Sequence, residues 1–221
     1  MDKGYIQQLL EVDGEPVKLT EKKAAILTKA IENFAENGYA ATSTSEIAKQ
    51  AGVAEGTIFR HYPSKKDLLM AIVKPGILKL AVPYFADQMI KEVFDPDKID
   101  LEELLRTFIY NRVRFVKKNV SMIRIILQEI AFHPEIQQTF KQTFLLKVYP
   151  NVKERVESLQ QKGKLKDFPV DTSLRFILST ILGFILHRYI FMTESIINEE
   201  QEIEHVIQFI LDGLQYDHRS E

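Results

Sequence analysis

Between Ser43 and Lys66 the chain reads STSEIAKQAGVAEGTIFRHYPSKK, two short helix patterns held apart by Ala51-Gly52-Val53, and that spacing leaves few folds open. Ser43 stands where an N-cap belongs and Glu46 follows three residues later, so side chain and backbone can satisfy each other's free donors. Ile47, Ala48 and Ala51 then share one apolar face. Gly52 comes directly after that face, where a helix ends at least cost in the left-handed conformation, and Val53 can turn back into the core. Ile58 and Tyr62, four apart, anchor the second helix. Two short helices crossing at a tight, glycine-containing turn form a helix-turn-helix, whose second helix can enter a major groove. The expectation is a DNA-binding head.

The flanks support the pair. Thr20 is placed to cap a helix that runs to about Asn37 and ends at Gly38, with Leu27, Ala30, Ile31, Phe34 and Ala35 as its buried stripe. Ser64 caps the helix that follows the pair, with Asp67 at its third position and Leu68, Leu69 and Ile72 facing inward. Pro75-Gly76 then predicts a kink or break, with helix resuming at Ile77 and meeting a second proline at Pro83. Residues 1–18 read as a loosely held tail in which Tyr5, Ile6, Leu9 and Leu10 form a turn or two, the alternative being an arm along DNA.

The run from Gly38 to Leu69, GYAATSTSEIAKQAGVAEGTIFRHYPSKKDLL, resembles the N-terminal domain of the tetracycline-repressor (TetR) family of bacterial transcription regulators. The match extends over roughly fifty residues, and the rest of the chain agrees in length and helical character alone. The resemblance implies an extension over 1–19, a DNA-binding domain over 20–66, and a helical effector-binding and dimerisation domain over 67–221. It implies phosphate and base contacts from Ser43, Thr44 and Ser45, whose hydroxyls and free amides at a helix start suit an anion. It places Glu55, Gly56, Thr57 and Arg60 toward the groove and His61 and Lys65 on phosphates. Three positions depart from the family pattern. Ala54 stands where a serine commonly caps the second helix, and Phe59 where a tyrosine often reaches a phosphate, leaving Phe59 to touch a thymine methyl. Glu55 either complements the helix dipole or accepts from cytosine N4.

The remaining chain is patterned as helices from about Ile99 to Lys118, Val120 to Phe132, His133 to Gln161 with Pro150 as a kink, Asp171 or Thr172 to Met192, and Glu199 to Leu214. With no competing strand signal, the fold class is all-α. The helix from Leu174 to Met192 is apolar nearly all round, so something must cover every side. Ser179 and Gly183 on it, with Ile203, Val206, Ile207, Ile210 and Leu214 on the last helix, are the expected homodimer surface, with a plain core helix as the alternative. The resemblance also implies a small-molecule effector pocket, for which Tyr84, Phe85, Met89, Phe108, Phe115, Met122, Ile126, Phe144 and Phe184 are candidates and an apolar effector is expected.

Net charge is −2, yet residues 18–66 carry eight Lys/Arg against five Asp/Glu, a basic head on an acidic body. Without cysteine, thiolate metal sites and disulfides are excluded; Glu129, His133 and His187 lack ligand spacing on one helix, so no metal or cofactor is expected. No catalytic constellation stands out. The N-terminus lacks a leader pattern, and the longest apolar run, Phe176 to Leu186, is eleven residues and too short for a bilayer, so a cytoplasmic protein without membrane attachment is expected. The outcome is a palindrome-binding dimeric regulator, by default a repressor, against a rival helical carrier of apolar ligands whose helix-turn-helix is only structural.

Overall fold

The structure, a computed structural model, describes residues 3–11, 19–81, 101–192 and 198–214. These form two compact units of helices, one built from residues up to Ala81 together with Asn119–Thr143, the other containing residues 101–118 and 144–214.

In the first unit the order is α1 (Lys3–Leu10), α2 (Glu21–Asn37), α3 (Thr44–Gln50), α4 (Glu55–His61), α5 (Lys65–Ala81), α7 (Val120–Glu129) and α8 (Pro134–Thr143), with α6 (Leu101–Lys118) in the second unit. The local signals hold. Thr20 Oγ1 accepts from the Lys23 amide at 3.3 Å to cap α2, and Gly38 ends that helix at φ 79°. Ile26, Ala30, Ile31 and Phe34 are fully buried along its inner face. The α2–α3 contact is locked by polar groups as well. Asn33 Nδ2 donates to Gln50 Oε1 at 2.7 Å, and the buried Thr42 hydroxyl donates to the carbonyls of Gly38 and Asn33 at 2.8 and 3.2 Å. Burial makes those bonds matter, because an unsatisfied amide or hydroxyl there costs about 1–3 kcal/mol.

Two expectations for this unit are corrected. Residues 3–10 are a docked helix rather than a loose tail: Ile6 and Leu9 are buried against α2 and α5, and the Tyr5 hydroxyl donates to Asn119 Oδ1 at 3.0 Å. Full burial of two such side chains contributes about 1.5–3 kcal/mol each, enough to hold a helix too short to stand alone. Of the kink or break expected at Pro75-Gly76, the break is absent, for α5 runs through both residues. A proline within a helix costs about 3 kcal/mol. Here α5 is enclosed by α1, α2, α7 and α8, and Val73 and Ile77 on either side of Pro75 are fully buried, so packing offsets the lost bond. Gly76 has a separate reason, since a Cβ there would overlap the Met122 sulfur on α7. Pro83 lies outside the described residues.

The second unit holds α6 (Leu101–Lys118), a π-helical turn (Phe144–Val148), α9 (Tyr149–Gln161), α10 (Val170–Leu186), a second π-helical turn (His187–Phe191) and α11 (Glu199–Leu214). Where a kink was expected at Pro150 the chain takes a π turn just before it, which absorbs the register lost with the proline's N–H. The α10 start also differs from expectation: Pro169 occupies the cap position, Asp171 and Thr172 fall inside the first turn, and Asp171 accepts from the Tyr149 hydroxyl at 2.6 Å. Leu105, Ile109, Val113 and Val116 form the buried stripe of α6, while Arg106 bridges Glu102 on its own helix and Glu204 on α11.

The apolar run of α10 is longer than its eleven uninterrupted residues imply. Helical structure continues over Val170–Phe191, long and apolar enough by length and composition to cross a membrane, and only 22% of its most apolar window is buried within the chain. The buried residues Leu174, Ile181 and Ile185 form one face; Phe176, Ser179, Leu182 and Gly183 lie on the exposed one.

Candidate nucleic-acid interface

The geometry of the paired helices follows from their ends. Ser43, in extended backbone conformation, accepts from the Glu46 amide at 3.1 Å and starts α3. At the other end Gly52 takes φ 67°, the Gly52 amide donates to the Lys49 carbonyl at 3.3 Å and the Val53 amide to the Ala48 carbonyl at 3.0 Å. That pair of bonds is a Schellman motif, and it turns the chain directly into α4. Ala54 has the same extended conformation as Ser43 but no side-chain cap, as its methyl requires. Ile47 and Ile58 are fully buried and Tyr62 nearly so, which seats both short helices on α2 and its surroundings.

The polar residues expected to meet DNA remain accessible. Ser43, Ser45, Glu55, Gly56, Phe59 and Arg60 are exposed, and Thr44, Thr57, His61 and Lys65 are half-buried. Thr44 and Glu55, eleven residues apart, are brought together: the Thr44 hydroxyl donates to Glu55 Oε1 at 2.6 Å, tying the start of α3 to the start of α4. Ser43 and Ser45 hydroxyls lie 3.1 Å apart. The Phe59 ring, 42% exposed, presents an apolar edge among these groups. Lys65 is less free than an N-terminal lysine usually is. Its Nζ lies 4.3 Å from the Tyr39 ring centroid and donates to the Ala40 carbonyl at 3.4 Å, and partial desolvation holds its pKa below the usual lysine value.

Several neighbours of this surface carried no local signal. Tyr39 is in the GYAAT run, but its partners are some ninety residues on: its amide donates to Glu129 Oε1 at 3.3 Å and its ring meets His133 edge-on at 5.0 Å. Lys66 pairs with Glu135, which raises the lysine's pKa and lowers the carboxyl's. Glu129 and His133 do come together, Oε2 to Nε2 at 3.2 Å, one turn apart on the same segment. No group of three or more His, Cys, Asp or Glu suited to a metal occurs among the described residues.

The expected effector residues are distributed over both units. Met122 and Ile126 are core residues of the first unit, whereas Phe108, Phe115, Phe144 and Phe184 belong to the second. Tyr84, Phe85 and Met89 lie outside the described residues. Phe108 and Phe115 flank the buried Arg112, at 5.9 and 5.3 Å, and burial lowers that guanidinium's pKa to about 10. The expected dimer residues also divide. Ser179 and Gly183 are exposed, but Ile203, Val206, Ile207, Ile210 and Leu214 are buried against α6 and α10 of their own chain and present no face to a second copy. Phe209, 67% exposed, is the apolar residue of α11 that points outward.

Two seven-residue helices joined by a Schellman turn, packed on a longer helix and exposing hydroxyls and basic groups along one edge, define a helix-turn-helix transcription regulator. Residues 26–72 match the family model described as bacterial regulatory proteins, tetR family. The chain is 21% identical over 211 residues, 96% of its length and 94% of the relative's, to an uncharacterized HTH-type transcriptional regulator of Mycobacterium bovis. It is 47% identical over 53 residues, 24% of its length and 27% of the relative's, to the fatty acid metabolism regulator protein of Bacillus subtilis. Among solved structures, the fatty acid degradation regulator FadR from Bacillus halodurans superposes with a TM-score of 0.68 at 22% identity, covering 91% of this chain and all of that one. Residues 26–72 thus carry the TetR-family helix-turn-helix, and the chain over most of its length is similar to transcriptional regulators.

Proposed function

We propose that the protein is a cytoplasmic repressor that binds a palindromic operator as a homodimer and is released by a small apolar effector. The observation that carries this reading is the exposed edge of α3 and α4, where Thr44, Ser45, Thr57, Arg60 and His61 gather around a turn of helix-turn-helix geometry. In this reading Ser43 and Lys65 join them on phosphates, and Gly56 lets the second helix approach the groove closely. Glu55 spends its charge on the Thr44 hydroxyl and orients it. A single head with a net charge of +3 over residues 18–66 binds weakly, so useful affinity requires two heads at a set spacing.

The second copy covers the exposed side of α10 and α11. Phe176, Ser179, Leu182 and Gly183 follow helical spacing on α10, and Phe209 extends the apolar surface onto α11. Such a face is what a closed twofold interface needs, and it gives the apolar α10 its missing cover. The effector acts from the helical body that follows residue 66, with Phe108, Phe115, Phe144 and Phe184 as its apolar lining. Two relatives named for fatty acid metabolism favour an acyl chain as that effector. Fluorescence anisotropy with duplex DNA from the chain's own upstream region, titrated with salt and with long-chain acyl compounds, tests the whole reading. Saltable, sequence-selective binding relieved by one of those compounds is expected; binding that ignores sequence, or none, refutes the regulator. Leu182→Glu or Phe209→Glu should give a monomer in sedimentation that has lost most of its operator affinity.

A further inference from the structure

The lysine assigned to a phosphate is held by a platform that does not belong to the helix-turn-helix. Tyr39 leaves α2 just after Gly38, and its ring carries Lys65 Nζ on one side at 4.3 Å. Tyr39 is itself held by ring and backbone: its ring meets Phe34 at 5.5 Å and His133 edge-on at 5.0 Å, and its amide donates to Glu129 Oε1. Glu129 is 8% exposed and uses both oxygens, one for Tyr39 and one for His133 at 3.2 Å. All of these residues lie within the first compact unit.

From this chain of contacts we infer that Glu129 is a positioning residue for DNA binding: through Tyr39 it sets where Lys65 stands, so the corner between α7 and α8 governs a phosphate contact made at the head. The inference rests on the assignment of Lys65 to a phosphate. A carboxylate one residue removed from a phosphate-binding lysine would by charge alone oppose binding, so removing it should tighten binding if Glu129 acts only through its field. Positioning requires the opposite sign. Loss of Glu129 frees Tyr39, lets Lys65 wander and removes its counterion release.

The test uses the full chain and a mixed-sequence duplex, since phosphate contacts are made without regard to sequence. Lys65→Ala should lower the slope of log K against log salt by about 0.9 per subunit. Glu129→Ala and Tyr39→Leu should each lower it by a similar amount, and neither should lower it further when combined with Lys65→Ala. Glu129→Gln, which keeps an acceptor for the Tyr39 amide, should restore the wild-type slope. A Glu129→Ala protein with an unchanged slope, or with tighter binding, overturns the proposal. So does an additive Tyr39→Leu/Lys65→Ala double variant, which decides the matter if Glu129→Ala fails to fold. Should the wild type not bind DNA at all, the regulator reading fails by itself, and amide exchange decides the platform. Exchange at Tyr39 should be about tenfold faster in Glu129→Ala than in wild type, with fully buried α2 amides unchanged; equal rates overturn the platform.

Discussion

Ala54→Ser should stabilise the protein, by an amount that the structure bounds. Ala54 sits at φ −70°, ψ 144°, close to the φ −74°, ψ 156° of Thr20 and in the same extended region as Ser43, both of which accept from the amide three residues on. A hydroxyl at position 54 therefore needs no backbone movement to reach the start of α4. Replacing alanine by serine at such a cap contributes typically about 1 kcal/mol. The gain here belongs at the lower end, about 0.5–1 kcal/mol, because the Thr57 amide already donates to the Ala54 carbonyl at 2.8 Å and the new oxygen must share it or turn to Gly56. With a urea slope of about 2 kcal/mol per molar, the midpoint followed by far-UV circular dichroism should rise by about 0.3–0.5 M. Ser43→Ala is the matching control and should lower it by a similar amount. If Ser43→Ala lowers the midpoint and Ala54→Ser leaves it unchanged or lower, the equivalence of the two caps is refuted.

Other outcomes follow from single features. Ile6→Ala should cost about 2–5 kcal/mol in urea unfolding, whereas a loose N-terminal tail would leave stability untouched. Phe59→Tyr should restore a phosphate contact and steepen the salt dependence of DNA binding by about 0.9 per subunit; an unchanged slope would place residue 59 away from the backbone. Burial pushes the Tyr62 phenol up from 10 to about 12, so the unfolded chain gives up that proton first. Its contribution is therefore constant below pH ~10 and lost between ~10 and ~12, by up to about 2–3 kcal/mol. Tyr62→Phe should remove that share of the alkaline slope, and identical slopes in the two proteins would show that the phenol titrates freely.

What the sequence by itself determined was everything carried by neighbours along the chain. Caps at Thr20, Ser43 and Ser64, the left-handed Gly38 and Gly52, and the helical stripes of α2 and α5 are set within a turn or two, so the helix-turn-helix and the all-α class were legible. Even the missing cap at Ala54 could be read from one residue. Tertiary structure decided the rest, because a periodic apolar stripe states that a face will be covered without stating by what. The α11 stripe expected to meet a second copy is taken by α6 and α10 of the same chain. Residues 3–10 have too few turns to form a helix without docking, and the surfaces that receive Ile6 and Leu9 come from α2 and α5. Pro75 signals a break in any isolated helix, and packing against α1, α2, α7 and α8 keeps α5 whole. The bond from Tyr39 to Glu129 spans ninety residues, a pairing that no local pattern encodes because folding alone brings its two ends together.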